Sequence, residues 1–263
     1  MSEVVTTEVQ DGVATVTLNR PEALNALNME MTRGLREAIL PLEHASNVRC
    51  VVIRGGDHFM AGGDLKWFSE IIQDDPGQNR VMFEDFINQV HPVIVAIRRM
   101  PKPVIASVSG AAAGFGLSLV LATDLAIAAD SAYFTLAYTL IGVTPDGGST
   151  FSLPRLVGMK KAMEIALLGD RFDAKVAAHY GLINWVVPEK ELSETTTAIA
   201  TRLAAGPTAV YGRTKALLQQ SPDTTLHDQL QAEAENFARS ASEPNFSEGL
   251  NAFLEKRRAD FEG

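Results

Sequence analysis

Residues 103–148 constrain the fold of this chain more than any other stretch. They begin with Val104–Val108, a short, β-branched apolar run that predicts a buried strand. Small residues then fill positions 109–116, apart from Phe115, and the apolar segment at 117–122 can continue as a helix. Because a strand that enters a helix through glycines leaves backbone N–H groups unpaired, this junction can hold an oxyanion.

The glycines of this stretch are weak indicators of function when they are taken alone. Gly110, Gly114 and Gly116 do not form the dinucleotide pattern G-x-G-x-x-G, and no Gly-Lys-Ser/Thr phosphate loop follows. Tight packing of a helix on a sheet would explain them. However, residues 143–148 place Asp146 on a predicted turn before another helix. Backbone donors and one carboxylate are sufficient for proton transfer next to a carbonyl.

Strands and helices alternate along the rest of the chain. Asp11 and Gly12 predict a hairpin between strands at 4–10 and 13–18, and a second strand–glycine–helix succession runs through residues 49–65. We predict a mobile surface loop at 73–79, followed by a long amphipathic helix. This order predicts an α/β core in residues 1–205 and an all-helical region in residues 206–263.

Composition excludes several functional classes. The net charge of −9, with no run of Lys or Arg, argues against a nucleic-acid partner. No apolar run reaches membrane-spanning length and no signal peptide is apparent, so we expect no membrane partner and a cytoplasmic location. The single cysteine, Cys50, excludes an internal disulfide. His58, His179 and His227 lack metal-ligand spacing, and we predict no metal.

Several segments resemble the crotonase (enoyl-CoA hydratase/isomerase) superfamily. They occur in the family's order and spacing, at residues 19–27 (NRPEALNAL), 59–65 (FMAGGDL), 110–116 (GAAAGFG) with 122–124 (ATD), and 249–257 (GLNAFLEKR). The resemblance implies a ββα spiral core with a C-terminal helical trimerisation region, and a homotrimer or a dimer of trimers. It also implies an acyl-CoA thioester substrate, so that coenzyme A arrives with the substrate and no further cofactor is needed.

The resemblance also implies the roles of individual residues. The backbone N–H groups of Gly63 and Phe115 would form the oxyanion hole around the thioester oxygen. The remaining substrate-binding or coenzyme A-binding positions that it implies are Ala23, Leu24, Ala61, Leu65, Gly114, Ser118, Tyr138 and Lys256. For Lys256 two interpretations stay open, a solvated helix end or a coenzyme A phosphate contact on a neighbouring subunit.

The chain departs from the hydratase pattern at the catalytic positions. Typical hydratases of the superfamily use two glutamates to activate water, and Ser118 and Tyr138 occupy the matching positions. A hydroxyl and a phenol are poor general bases at neutral pH, which disfavours hydration. Asp146 matches instead the turn aspartate of superfamily isomerases, including the ring-epoxide isomerase of bacterial phenylacetate breakdown. An ungapped count places His91 near a histidine of the chlorobenzoyl-CoA dehalogenase branch, but we favour a packing role for it.

We therefore predict an acyl-CoA isomerase that shifts a double bond by proton transfer through Asp146. One alternative is another reaction of the superfamily, either hydration or aspartate-dependent dehalogenation. The other is a non-catalytic acyl-CoA-binding protein, in which Asp146 only caps the helix that follows it. The residues do not identify the acyl group.

Overall fold

The predicted hairpin opens the fold and sets the edge of its main sheet. Asp11 and Gly12 both have positive φ, 47° and 76°, which suits a two-residue turn between antiparallel strands. The computed structural model describes residues 3–261. Within that range the strands are β1 Val5–Gln10, β2 Val13–Leu18, β3 Cys50–Arg54, β4 Val104–Val108, β5 Ala111–Ala113, β6 Leu125–Ala129, β7 Tyr133–Thr135, β8 Phe172–Asp173 and β9 Trp185–Val187.

Helices connect these strands and form the C-terminal part of the chain. Within residues 3–261 they are α1 Met29–Ile39, α2 Leu65–Ile71, α3 Pro76–Arg99, α4 Phe115–Ala122, α5 Ser149–Leu168, α6 Ala174–His179, α7 Leu192–Ala204, α8 Thr208–Gln220, α9 Leu226–Ala241 and α10 Pro244–Glu255. The mixed α/β architecture confirms the predicted fold class.

Two sheets organise the core. The larger has the strand order β1-β2-β3-β4-β6-β9, and all its pairs except β1–β2 are parallel. The smaller has the order β5-β7-β8. Strand β4 is buried along its whole length, and every residue of α4 is buried as well. A strand and a helix that are apolar on all sides belong in the interior, so the junction between them is held rigidly.

Side-chain capping determines where two of the helices begin. The side chain of Asn28 accepts a hydrogen bond from the N–H of Met31 and caps α1. Asp64 accepts one from Trp67 and caps α2.

The prediction of a loop at 73–79 is wrong for residues 76–79, which belong to a helix. Asp75 caps α3, which begins at Pro76. Proline is well suited to the first position of a helix, and the Asp75-Pro76 pair therefore starts the helix inside the polar stretch.

The C-terminal helices are tied to the core by part-buried polar contacts of Lys215 and Arg49. Lys215 on α8 lies 2.7 Å from the carboxylate of Asp124 and 2.7 Å from the carbonyl oxygen of Ile97. Arg49 donates to the carbonyl oxygens of Gly206 and Phe261. The predicted boundary at 205/206 lies in the connection between α7 and α8. That residues 206–263 form a separate domain stays a prediction. Residues 262 and 263 lie outside the described range. None of the helices in residues 3–261 is long and apolar enough to cross a membrane.

Candidate active site

The two glycine-rich loops lie directly against each other. Met60 donates its N–H to the carbonyl oxygen of Ala111, and Ala113 donates to the carbonyl oxygen of Met60, both at 2.9 Å. At Gly114 a β-carbon would lie 3.3 Å from the α-carbon of Gly62. Both glycines have positive φ, 93° at Gly62 and 51° at Gly114. A larger residue at either position would force the loops apart.

This contact brings the two predicted oxyanion donors to neighbouring places. Gly63 follows Gly62, and Phe115 follows Gly114 and begins α4. Within residues 3–261 neither the N–H of Gly63 nor that of Phe115 donates a hydrogen bond to another group. The N–H of Phe115 also belongs to the first turn of a helix, where the helix dipole favours negative charge.

The turn that carries Asp146 packs on the first turns of α4, the helix that Phe115 begins. A β-carbon on Gly147 would lie 2.7 Å from the β-carbon of Ser118 and 3.0 Å from the ring of Phe115. The hydroxyl of Ser118 donates to the main-chain oxygen of Asp146 at 2.9 Å. These contacts hold the loop against α4 and so fix the position of the main chain at Asp146.

The Asp146 side chain does not cap α5. The N-cap of that helix is Gly148, and no side chain caps it. The Asp146 carboxylate instead accepts a hydrogen bond from the phenol of Tyr138 through Oδ1. The capping role that the non-catalytic alternative assigned to Asp146 is therefore wrong.

Burial controls the protonation of this pair. Desolvation raises the pKa of Asp146 above its ordinary value, although the hydrogen bond from Tyr138 and the charge of His91 oppose the rise. Desolvation and the neighbouring Asp146 carboxylate raise the pKa of Tyr138 well above its usual range. Tyr138 thus stays protonated and acts as a hydrogen-bond donor, while Asp146 is suited to exchange protons.

His91 lies on α3, and its electrostatic influence lowers the pKa of Asp146. The packing role that the sequence favours for His91 stays a prediction.

The residues predicted along the coenzyme A arm also meet at the glycine loops. Ala61 donates its N–H to the carbonyl oxygen of Leu24 at 3.0 Å, and Ala23 precedes Leu24 in the same turn. Leu24 is 41% exposed and Leu65, the first residue of α2, is 52% exposed. This part of the loops is therefore open to solvent, and coenzyme A binding by these residues stays a prediction.

Polar contacts fix the turn that carries Ala23 and Leu24. The buried side chain of Asn25 donates to the carbonyl oxygens of His58 and Phe59. Arg20 lies 2.7 Å from the carboxylate of Asp64. Since Asp64 also caps α2, its carboxylate is occupied by two structural contacts.

An aromatic cluster lies next to Gly63. The ring of Phe68 lies 2.7 Å from the place of a β-carbon on Gly63. Phe68 packs with Trp67, Phe83 and Phe86 at ring-centroid distances of 5.2 to 5.8 Å. These rings make an apolar wall next to the Gly63 donor.

Lys256 is the predicted site residue that the single chain does not bring to the loops. It lies in a left-handed conformation just after α10, and the next residue, Arg257, pairs with Glu248 and Glu255. In the described part of the chain, Lys256 makes none of the polar contacts that build the site. Within one chain, Lys256 is an exposed residue at the end of α10. A contact between Lys256 and the coenzyme A phosphate on a neighbouring subunit stays a prediction.

Comparisons with known proteins show what the whole chain is similar to. The model of the enoyl-CoA hydratase/isomerase family matches residues 8–263. The 1,2-epoxyphenylacetyl-CoA isomerase of Escherichia coli K12 is 38% identical and covers 100% of both chains. The 4-chlorobenzoyl coenzyme A dehalogenase-2 of Arthrobacter sp. is 34% identical over 96% of this chain and 91% of its own. The crystal structure of an enoyl-CoA hydratase from Polaromonas sp. JS666 has a TM-score of 0.91 at 34% identity, covering 97% of this chain and 98% of that chain.

Proposed function

The chain belongs to the enoyl-CoA hydratase/isomerase family, and we propose that it is an acyl-CoA isomerase that shifts a double bond through Asp146. The observation that carries this proposal is the place of the Asp146 carboxylate, which is half-buried, has its pKa raised by desolvation and lies on the turn packed against Phe115. Asp64, a carboxylate at the same loops, already accepts hydrogen bonds from Arg20 and from the N–H of Trp67 at the start of α2. We therefore assign the chemistry to Asp146.

The proposed reaction needs one proton acceptor and one site for negative charge. The carboxylate of Asp146 removes a proton from the acyl chain, and the electrons move to the thioester oxygen as a dienolate. The N–H groups of Gly63 and Phe115 hold that oxygen. Asp146 then returns the proton to a different carbon, which completes the shift of the double bond. A pKa raised by burial brings the carboxyl closer to the working pH of such a shuttle.

Hydration is less well supported by the same contacts. Ser118 and Tyr138 stand where typical hydratases have their glutamates, and the hydroxyls of both are engaged with Asp146. The raised pKa of Tyr138 keeps it from acting as a base. The two positions that hold glutamates in typical hydratases therefore supply no carboxylate to activate water.

Dehalogenation is a second candidate because the electrostatic influence of His91 lowers the pKa of Asp146. In that reaction the Asp146 carboxylate would attack an aromatic ring as a nucleophile. The relationship to the Arthrobacter dehalogenase makes this reaction worth testing directly.

A panel of thioesters tests these proposals. The purified protein is offered a 3-enoyl-CoA, a 2-enoyl-CoA, a 1,2-epoxyphenylacetyl-CoA and a 4-chlorobenzoyl-CoA, and the products are identified by mass spectrometry and NMR. We expect isomerisation of the 3-enoyl or the ring-epoxide substrate and little hydration. Release of chloride would support the second candidate. A thioester that raises Tm by mass action, with no turnover of any substrate, would instead favour the non-catalytic alternative.

We also predict assembly into a homotrimer or a dimer of trimers. The C-terminal helices expose large apolar side chains, among them Leu218 at 68%, Leu226 at 75% and Phe237 at 72%. Covering such side chains in a subunit interface removes apolar area from water and stabilises the assembly. Light scattering coupled to size-exclusion chromatography at micromolar concentration should show three or six times the mass of 28.4 kDa. A monomer mass would contradict the prediction.

A further inference from the structure

We propose that Tyr138 is a positioning residue that reserves one oxygen of Asp146, Oδ2, for proton transfer. The inference rests on the proposed function and adds a residue to it. Tyr138 donates its phenol proton to Oδ1 of Asp146. Within residues 3–261, Oδ2 accepts no hydrogen bond from another residue. The two oxygens of the carboxylate are therefore different, and no other described residue occupies Oδ2.

The loop between these residues is built to hold this contact. Ala137, which precedes Tyr138, has φ 54° and ψ 0°, a left-handed conformation that is uncommon for residues other than glycine. The N–H of Val143 donates to the carbonyl oxygen of Tyr138 at 3.2 Å. Residues 138–146 thus form a closed loop, joined at its ends by the phenol and the carboxylate. Uncommon backbone conformations persist where the surrounding structure enforces them.

The hydroxyl of Ser118, on α4, contacts both ends of the same loop. Its hydroxyl donates to the main-chain oxygen of Asp146 at 2.9 Å and lies 3.4 Å from the phenol oxygen of Tyr138. The ring of Tyr138 in turn lies against Gly114, 3.9 Å from the place of a β-carbon there. Tyr138 therefore stands between the oxyanion loop and Asp146 and fixes the distance between them. A base that is already oriented needs no rearrangement when substrate binds.

The hydrogen bond also affects the acidity of Asp146. It stabilises the charged carboxylate and lowers the pKa that burial raises. The ionisable groups that act on Asp146 are Tyr138 and, from α3, His91. Helix α4 has no ionisable side chain, and neither has the first turn of α5 at Ser149–Ser152. Removing the phenol hydroxyl should therefore raise the pKa of Asp146 further.

Tyr138→Phe tests the proposal, because it removes the hydroxyl and keeps the ring. On whichever substrate of the panel is isomerised, kcat should fall by roughly ten- to a hundred-fold, as for a misplaced catalytic group. KM should change by less than about threefold, because the substitution leaves the backbone oxyanion donors in place. The acidic limb of the kcat–pH profile should move up by about one pH unit. Carbon-13 NMR of the Asp146 carboxyl should show the same shift without substrate.

Two further variants serve as controls. Tyr180→Phe removes a hydroxyl that is remote from Asp146 and should leave kcat and the pH profile unchanged. Ser118→Ala frees the main chain of Asp146 but keeps the phenol contact, so kcat should fall while the acidic limb stays in place. If Tyr138→Phe does not fold, 3-fluorotyrosine incorporated at position 138 replaces it. Its more acidic phenol is a stronger donor and should move the Asp146 titration to lower pH.

The outcomes separate this proposal from the proposed function. An unchanged Asp146 titration and a kcat within twofold of the parent, in Tyr138→Phe, would overturn the positioning role. If Asp146→Asn is inactive in the same experiments, the proposed function survives that result. If Asp146→Asn keeps full isomerase activity, the proposed function fails, and the NMR titration still decides whether Tyr138 sets the acidity of Asp146.

Discussion

Replacing Asp146 by asparagine should lower the turnover of a 3-enoyl-CoA by roughly a hundred- to ten-thousand-fold, the range for a positioned acid–base group. Asparagine has nearly the same shape and its oxygen can still accept the Tyr138 hydrogen bond, but it cannot take up a proton. Substrate affinity should change little, since the N–H groups of Gly63 and Phe115 belong to the backbone. Steady-state kinetics of the parent and the variant measure both effects.

The matched control for this variant is Asp170→Asn. Asp170 is an exposed aspartate between α5 and β8, and its substitution should leave kcat unchanged. The parent should also hydrate a 2-enoyl-CoA only slowly, because no glutamate pair accompanies Asp146. Rapid hydration that survives the loss of Asp146 would show that both the residue and the reaction are wrong.

Replacing Gly114 by alanine should abolish most of the activity by a different route. The N–H of Phe115 belongs to the peptide that follows Gly114, so the ψ angle of Gly114 sets the direction of this donor. Gly114 has φ 51° and ψ −121°, a backbone conformation that only glycine adopts without strain. Alanine would rotate this peptide or strain it, and losing one oxyanion donor costs roughly a hundred- to a thousand-fold in kcat. The strain should also lower the free energy of unfolding by about 1–3 kcal/mol.

Gly181→Ala is the control that separates lost catalysis from lost stability. Gly181 also has a positive φ, 74°, but a β-carbon there would meet nothing within 4 Å. This variant should lose about 1–2 kcal/mol of stability from backbone strain alone and keep its kcat. Thermal unfolding and kinetics are measured for both. A Gly114→Ala protein with the kcat of the parent would contradict the role of the Phe115 N–H group.

The alternating pattern of strands and helices was predictable because it depends on short-range chemistry. Asp11-Gly12 determines a hairpin, and Asn28 and Asp64 determine helix starts through hydrogen bonds three residues along the chain. The apolar run of β4 and the small residues after it predict a strand–glycine–helix junction. The prediction failed at 73–79, where Pro76 starts a helix inside a polar segment that was interpreted as a loop.

The sequence by itself therefore determined the α/β class, the two glycine junctions and the turn that carries Asp146, since each depends on residues a few positions apart. Only the tertiary structure determined which of these parts contact one another. Gly62 meets Gly114 across 52 residues, Ser118 reaches Asp146 across 28, and His91 acts on Asp146 from α3. Neither periodicity nor propensity encodes such distances. They follow from the close packing of α4 against both loops, which requires the whole core to form.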